Sequence, residues 1–115
     1  MPVVLVVARD WKLRASVRAE LREMGVDALG MDSVDEVKRA IASGGLPSVM
    51  VVEALAEFLG DSRIQDLVRQ IPAILIAPRT VNVSLPEASA VIYRPVRVAD
   101  IIVRVRDLLA REHAG

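Results

Sequence analysis

The sequence has no cysteine, and its one histidine, His113, stands among the last few residues. Those absences set aside disulfides, thiolate metal sites and cysteine nucleophiles, and they leave a histidine-based metal centre or catalytic triad without its residues. Aromatic side chains are scarce as well: Trp11, Phe58 and Tyr93 are the only three, against a hydrophobic fraction of 53%. A core built from this chain therefore consists of Val, Leu, Ile and Ala. There is no net charge, since fifteen basic residues balance fifteen acidic ones, so no overall field draws the chain toward nucleic acid or an anionic membrane. Lysine is nearly missing too; Lys12 and Lys38 are the only two, and arginine carries the basic charge, as in the products of GC-rich bacterial genomes. No apolar run approaches the ~18 residues a membrane span needs. The apolar opening, residues 2–8, is too short for a signal sequence and lacks a basic n-region. The expectation is a soluble, cytoplasmic chain in which residues 1–115 form one domain that needs neither disulfide nor metal to hold a core.

Short apolar runs alternate with helical periods. Residues 3–7 are β-branched-rich and apolar on both faces, as a central parallel strand covered on both sides would be. Asp10 caps a predicted helix over residues 11–24, with Leu13, Val17, Leu21 and Met24 in one stripe and Gly25 ending it. Residues 28–31 read as a short second strand. Ser33-Val34-Asp35-Glu36 is a capping box opening a helix with Val34, Val37 and Ile41 inward, closed by Gly44-Gly45. A third strand spans residues 48–52, and Asp61 caps a helix through Gln70 with Ile64, Leu67 and Val68 inward. Residues 73–76 and 90–93 are the fourth and fifth strands. Between them, residues 78–89 are bracketed by Pro78 and Pro86 and show no helical period. The last helix, residues 98–112, turns Ile101, Ile102, Val105, Leu108 and Leu109 inward.

This order predicts a doubly wound, five-stranded parallel α/β sheet of flavodoxin-like (βα)5 topology with an irregular fourth helix. In such sheets the working crevice lies beyond the carboxyl ends of the strands. Those ends carry Ala8-Arg9-Asp10, Glu53, Ala77-Pro78 and Arg94-Pro95.

By these positions the chain resembles the receiver domain of two-component response regulators over nearly its whole length. The supporting segments are Val4-Leu5-Val6-Val7 with the helix after it, Pro47 leading into Ser48-Val49-Met50-Val51-Val52, Pro72-Ala73-Ile74-Leu75-Ile76, and Arg94-Pro95-Val96 before the last helix. In that family an acidic pair after strand one binds Mg²⁺, and an aspartate after strand three takes phosphate. A Ser or Thr follows strand four, and a lysine precedes a proline after strand five. Matched by position, this chain has Ala8 and Arg9 for the acidic pair, with Asp10 one place later, Glu53 for the aspartate, Ala77 for the hydroxyl and Arg94 for the lysine. An alanine cannot ligate, and a guanidinium repels a dication. Glutamate for aspartate adds one methylene, about 1.5 Å of reach. Arginine keeps the charge, but its planar fork is not a point charge. The loop after Glu53, residues 54–60, also lacks the family's Met-Pro and Asp-Gly elements, and Val91 stands where the family often has an aromatic switch residue, with Tyr93 two places on.

The resemblance thus implies a degenerate receiver, a pseudo-receiver without metal, cofactor or enzymatic activity, in which Glu53 forms an ion-pair cluster with Arg9 or Arg94, imitates the phosphorylated state, or stands as a simple exposed carboxylate. Its work is then protein–protein contact in signal transduction. Trp11 at the crevice rim is read as a lid or a partner anchor, and Tyr93, Arg97 and Arg104 as partner-binding candidates on a face formed by the fifth strand and last helix. That face serves a protein partner or a second copy of the chain. Two other readings stay open: a small-anion or nucleotide sensor using Arg9 and Arg94 in the same crevice, and a conventional phospho-receiver. Against the sensor, no glycine-rich phosphate loop follows strand one. An enzyme of another flavodoxin-like family ranks last, because no nucleophile–base pair is visible.

Overall fold

The computed structural model describes residues 3–79 and 87–114. Strand β1 (Val3–Val7) is buried along nearly all its length, which its unbroken Val-Leu sequence permits on both faces. Helix α1 (Trp11–Glu23) starts where Asp10 Oδ1 accepts the amides of Lys12 and Leu13, each at 3.1 Å. Its buried stripe is Leu13, Val17 and Leu21; Met24, expected to continue that stripe, is exposed. The chain leaves the helix there. Gly25 adopts φ 79°, the Val26 amide returns to the Leu21 carbonyl at 3.0 Å, and Val26 takes the buried place instead.

Strand β2 (Asp27–Met31) leads to α2 (Val34–Gly44), where Ser33 Oγ accepts the Glu36 amide and Gly45 closes the helix at φ 81°. Strand β3 (Val49–Glu53) carries Glu53 as its last residue. A single helical turn, α3 (Ala56–Leu59), precedes α4 (Ser62–Gln70), whose N-cap Asp61 accepts the Arg63 amide at 2.9 Å. Strands β4 (Ala73–Ala77) and β5 (Ala90–Tyr93) and helix α5 (Val98–Ala114) complete the order. The irregular connection expected at residues 78–89 falls largely on residues 80–86, outside the described residues.

All four strand pairs are parallel and the order is β2-β1-β3-β4-β5, the doubly wound arrangement the sequence predicts. Strand alternation divides the core into two layers. On one face Val4, Val6, Val51, Ile74 and Ile76 meet Leu13, Val17 and Leu21 of α1 and Ile101, Val105 and Leu109 of α5. On the other, Leu5, Val7, Met50, Val52 and Leu75 meet Val37, Phe58, Ile64 and Val68. Val34, Ile41, Leu67 and Leu108, expected inward, are half-buried at the margins of these layers. No helix among the described residues is long and apolar enough to cross a membrane.

The turn α3 is a departure from the sequence reading, which treated residues 54–60 as loop. Phe58 explains it: its ring is fully buried, and bringing it under the sheet winds the chain through one turn, with the Phe58 and Leu59 amides both donating to the Leu55 carbonyl.

Candidate functional site

The parallel register places Val7, Glu53 and Ala77 at the same end of neighbouring strands, and the residues that follow them surround one crevice. Glu53 stands at its centre with a side chain only 13% exposed. Its Oε1 accepts two successive backbone amides, Arg9 at 2.8 Å and Asp10 at 3.1 Å. Its Oε2 accepts Arg94 Nη2 at 3.2 Å, and the same nitrogen donates to Asp10 Oδ2 at 3.1 Å. One guanidinium therefore joins two carboxylates that lie 43 residues apart in the sequence.

The predicted contact of Glu53 with Arg94 is present. The predicted contact with Arg9 takes a different form, since it is the Arg9 backbone that reaches Glu53. The Arg9 guanidinium turns outward to Glu57 Oε2 at 2.8 Å, a pair in which both side chains are about half exposed. The added methylene of Glu53 lets its carboxylate reach across to the β1–α1 loop.

Asp10 has two duties, where sequence reasoning saw chiefly a cap. Its Oδ1 holds the first turn of α1 and its Oδ2 holds Arg94. Its carboxyl lies below the usual carboxylate range, chiefly through the Leu13 amide and then through the Arg94 hydrogen bond and charge, with partial desolvation opposing. The Arg9 guanidinium is held more firmly protonated by the hydrogen bond to Glu57. The pairing of Glu57 with Arg9 was not foreseen from the sequence.

The remaining positions are apolar or structural. Ala8 is buried, donates to the Met31 carbonyl and accepts Arg14 Nη1 at 2.6 Å. Ala77 is fully buried and offers the crevice no side-chain donor; its carbonyl accepts the Arg94 amide at 2.8 Å. The Arg94–Pro95 peptide is cis. Trp11 is 64% exposed, so its ring stands out from the rim rather than closing over it, with the Lys12 ammonium 6.0 Å from the ring centroid. Tyr93 is 44% exposed, beside a shallow groove of about 480 Å³ bounded by Ile92, Val103 and Arg104. Arg97 and Arg104 are exposed, and neither has an ion-pair partner among the described residues.

A dication fits this donor set poorly. All four oxygens of Asp10 and Glu53 already accept hydrogen bonds, and the Arg94 guanidinium lies between them. Among the described residues no three acidic or histidine side chains are grouped to hold a metal ion. A hard cation needs several oxygens facing one point. Here a guanidinium holds that point.

No family model matches the sequence, and no curated protein does. Solved structures do. A CheY-like response regulator receiver domain protein from Methanospirillum hungatei superposes with a TM-score of 0.79 at 15% identity, covering 99% of this chain and 98% of that one. A response regulator receiver protein from Burkholderia phymatum gives 0.77 at 21% identity, covering 96% of each chain. The receiver domain of a Francisella response regulator gives 0.77 at 20% identity, covering 97% of this chain and 99% of that one. The fold of the chain is that of response regulator receiver domains.

Proposed function

We propose that residues 1–115 act as a phosphorylation-independent pseudo-receiver, a cytoplasmic, non-enzymatic signalling module that works by protein–protein contact and needs no cofactor. The reading rests on one observation: Arg94 Nη2 bonds Asp10 and Glu53 at once, while the other oxygen of each carboxylate is held by backbone amides. Phosphoryl transfer to a carboxylate needs a free attacking oxygen, and metal and cationic groups placed to receive the developing charge. In this crevice the cation already neutralises the acceptor, and Ala77 supplies no hydroxyl. A fixed ion-pair network holds the crevice as a bound metal would, so the domain keeps one conformation.

The contact surface that suits this role is the β5–α5 face, where Tyr93 and Val103 are exposed beside the exposed Arg97 and Arg104, with Trp11 as a second anchor at the crevice rim. Exposed aromatic and arginine side chains are the residue types that dominate interface energies. An acidic protein surface or a second copy of the chain suits this face. Incubation with a small-molecule phosphodonor and Mg²⁺, followed by intact-mass measurement, is expected to leave the chain unmodified. A Glu53→Asp variant is expected to behave alike, because Arg9 and Ala77 stay in place. A stoichiometric acyl phosphate on Glu53 in the parent chain would overturn the reading.

A further inference from the structure

An open sheet has two outer strands, and a free strand edge is a template for pairing with other extended chains. Strand β2 is one of them. The Ala8 amide donates to the Met31 carbonyl at 3.0 Å, so by strand alternation Asp27, Leu29 and Met31 turn their backbone groups toward β1. Ala28 and Gly30 turn theirs outward.

Side chains of α1 reach that outward row at the Ala28 carbonyl. Arg14, Arg18 and Arg22 stand four residues apart on one helix face, the spacing that aligns side chains along a helix. Arg18 Nε and Arg22 Nη2 both donate to the Ala28 carbonyl, at 3.4 and 3.2 Å, and Arg14 Nη1 donates to the Ala8 carbonyl at 2.6 Å. The arginine stems pass over Gly30, where a Cβ would lie 2.7 Å from Arg18 Cδ and 2.8 Å from Arg14 Cγ. Gly30 is not among the glycines with positive φ, so its backbone conformation does not call for glycine. Glycine inside a strand weakens it, and a close approach by another group is the usual reason for its presence. Here the arginine stems are that group.

We propose that Gly30 and the row Arg14–Arg18–Arg22 form an edge guard that closes β2 to strand addition. The guanidinium groups of Arg18 and Arg22 occupy the Ala28 carbonyl, an outward acceptor that an incoming strand needs, and the stems of Arg14 and Arg18 lie over Gly30. Pairing by strand addition, with a second copy of the chain or with another extended segment, is thereby excluded from β2, one of the sheet's two outer strands. This closure does not depend on the state of the crevice and stands apart from the phosphorylation reading.

Two variants of the full chain test it by different routes. Arg18→Ser with Arg22→Ser removes the donors to Ala28; Gly30→Ala keeps every arginine and displaces the stems with one methyl group. Sedimentation velocity and residue-resolved amide exchange, followed against protein concentration, provide the readout. Both variants are expected to show an association step beyond any the parent shows, with exchange at Ala28 and Gly30 slowed about tenfold as concentration rises. If the double variant fails to fold, Gly30→Ala alone decides. Sedimentation matching the parent, with exchange at Ala28 and Gly30 independent of concentration, overturns the proposal. So does new association that protects only β5.

Discussion

Arg94→Ala is expected to lower stability by about 2 kcal/mol at neutral pH, between the cost of breaking a surface pair and that of breaking a buried one. The exposure of the partners sets this intermediate value: Glu53 is nearly covered, while Asp10 and Arg94 are about one-third exposed. Without the guanidinium, Asp10 Oδ2 and Glu53 Oε2 lose their shared donor and two carboxylates face one another. Adding Glu53→Gln to Arg94→Ala is expected to recover part of the loss, because the amide keeps an acceptor for the Arg9 and Asp10 amides and removes one of the two charges. The pH dependence has a definite sign. Asp10 ionises below its ordinary range in the folded chain, so it contributes stability above the unfolded carboxylate pKa of about 4, and that contribution disappears as pH falls through the folded value. The difference between Arg94→Ala and the parent should therefore be largest near neutrality and shrink below about pH 4. Denaturant titrations of both proteins across that range measure it. A difference that stays constant with pH would mean that Arg94 acts through packing rather than charge.

Phe58→Ala is expected to cost about 3–5 kcal/mol, the range for emptying a buried aromatic site. Phe58 is the only phenylalanine, is fully buried, and belongs to the core layer that also holds Val7, Val52 and Ile64 beneath the crevice. Its loss removes the reason for the α3 turn, so Glu57 and the Arg9 pair it makes should loosen with it. Phe58→Leu fills most of the same volume and should cost less than about 1.5 kcal/mol. Equilibrium unfolding in urea, with the slope against denaturant unchanged, checks both values. A loss under about 1 kcal/mol for the alanine variant would show that the turn holds without its ring.

The strands and their order were legible because the two-sided apolar runs at residues 3–7, 73–76 and 90–93 leave few alternatives in a parallel sheet. The caps Asp10, Ser33 and Asp61 were legible too, being local. What sequence could not supply is non-local. Phe58 winds a helical turn because of what it packs beneath, and no periodicity over four residues announces that. Met24 fits the stripe of α1 by spacing, yet Gly25 turns the chain one residue too soon for it to be used. In the crevice, the meeting of Glu53 with Arg94 followed from both lying at strand ends. The division of labour did not: the sequence offered Arg9 and Arg94 as alternative ion-pair partners of Glu53, whereas the Arg9 backbone serves Glu53 and its side chain serves Glu57. A residue's main chain and side chain point in different directions, and only the fold decides which one faces a given group. Gly30 belongs to the same class, since its meaning lies in the arginines that cross it.

The claim on which the account turns is that Arg94 holds the place a dication would need. Mg²⁺ titration of the isotopically labelled chain, following the amides of Arg9, Asp10 and Glu53 by NMR, tests it directly. The account predicts no saturable shift at these amides, only small linear drifts shared with exposed carboxylates elsewhere. Saturating shifts confined to the three, with release of Arg94 from Asp10 and Glu53, would contradict it.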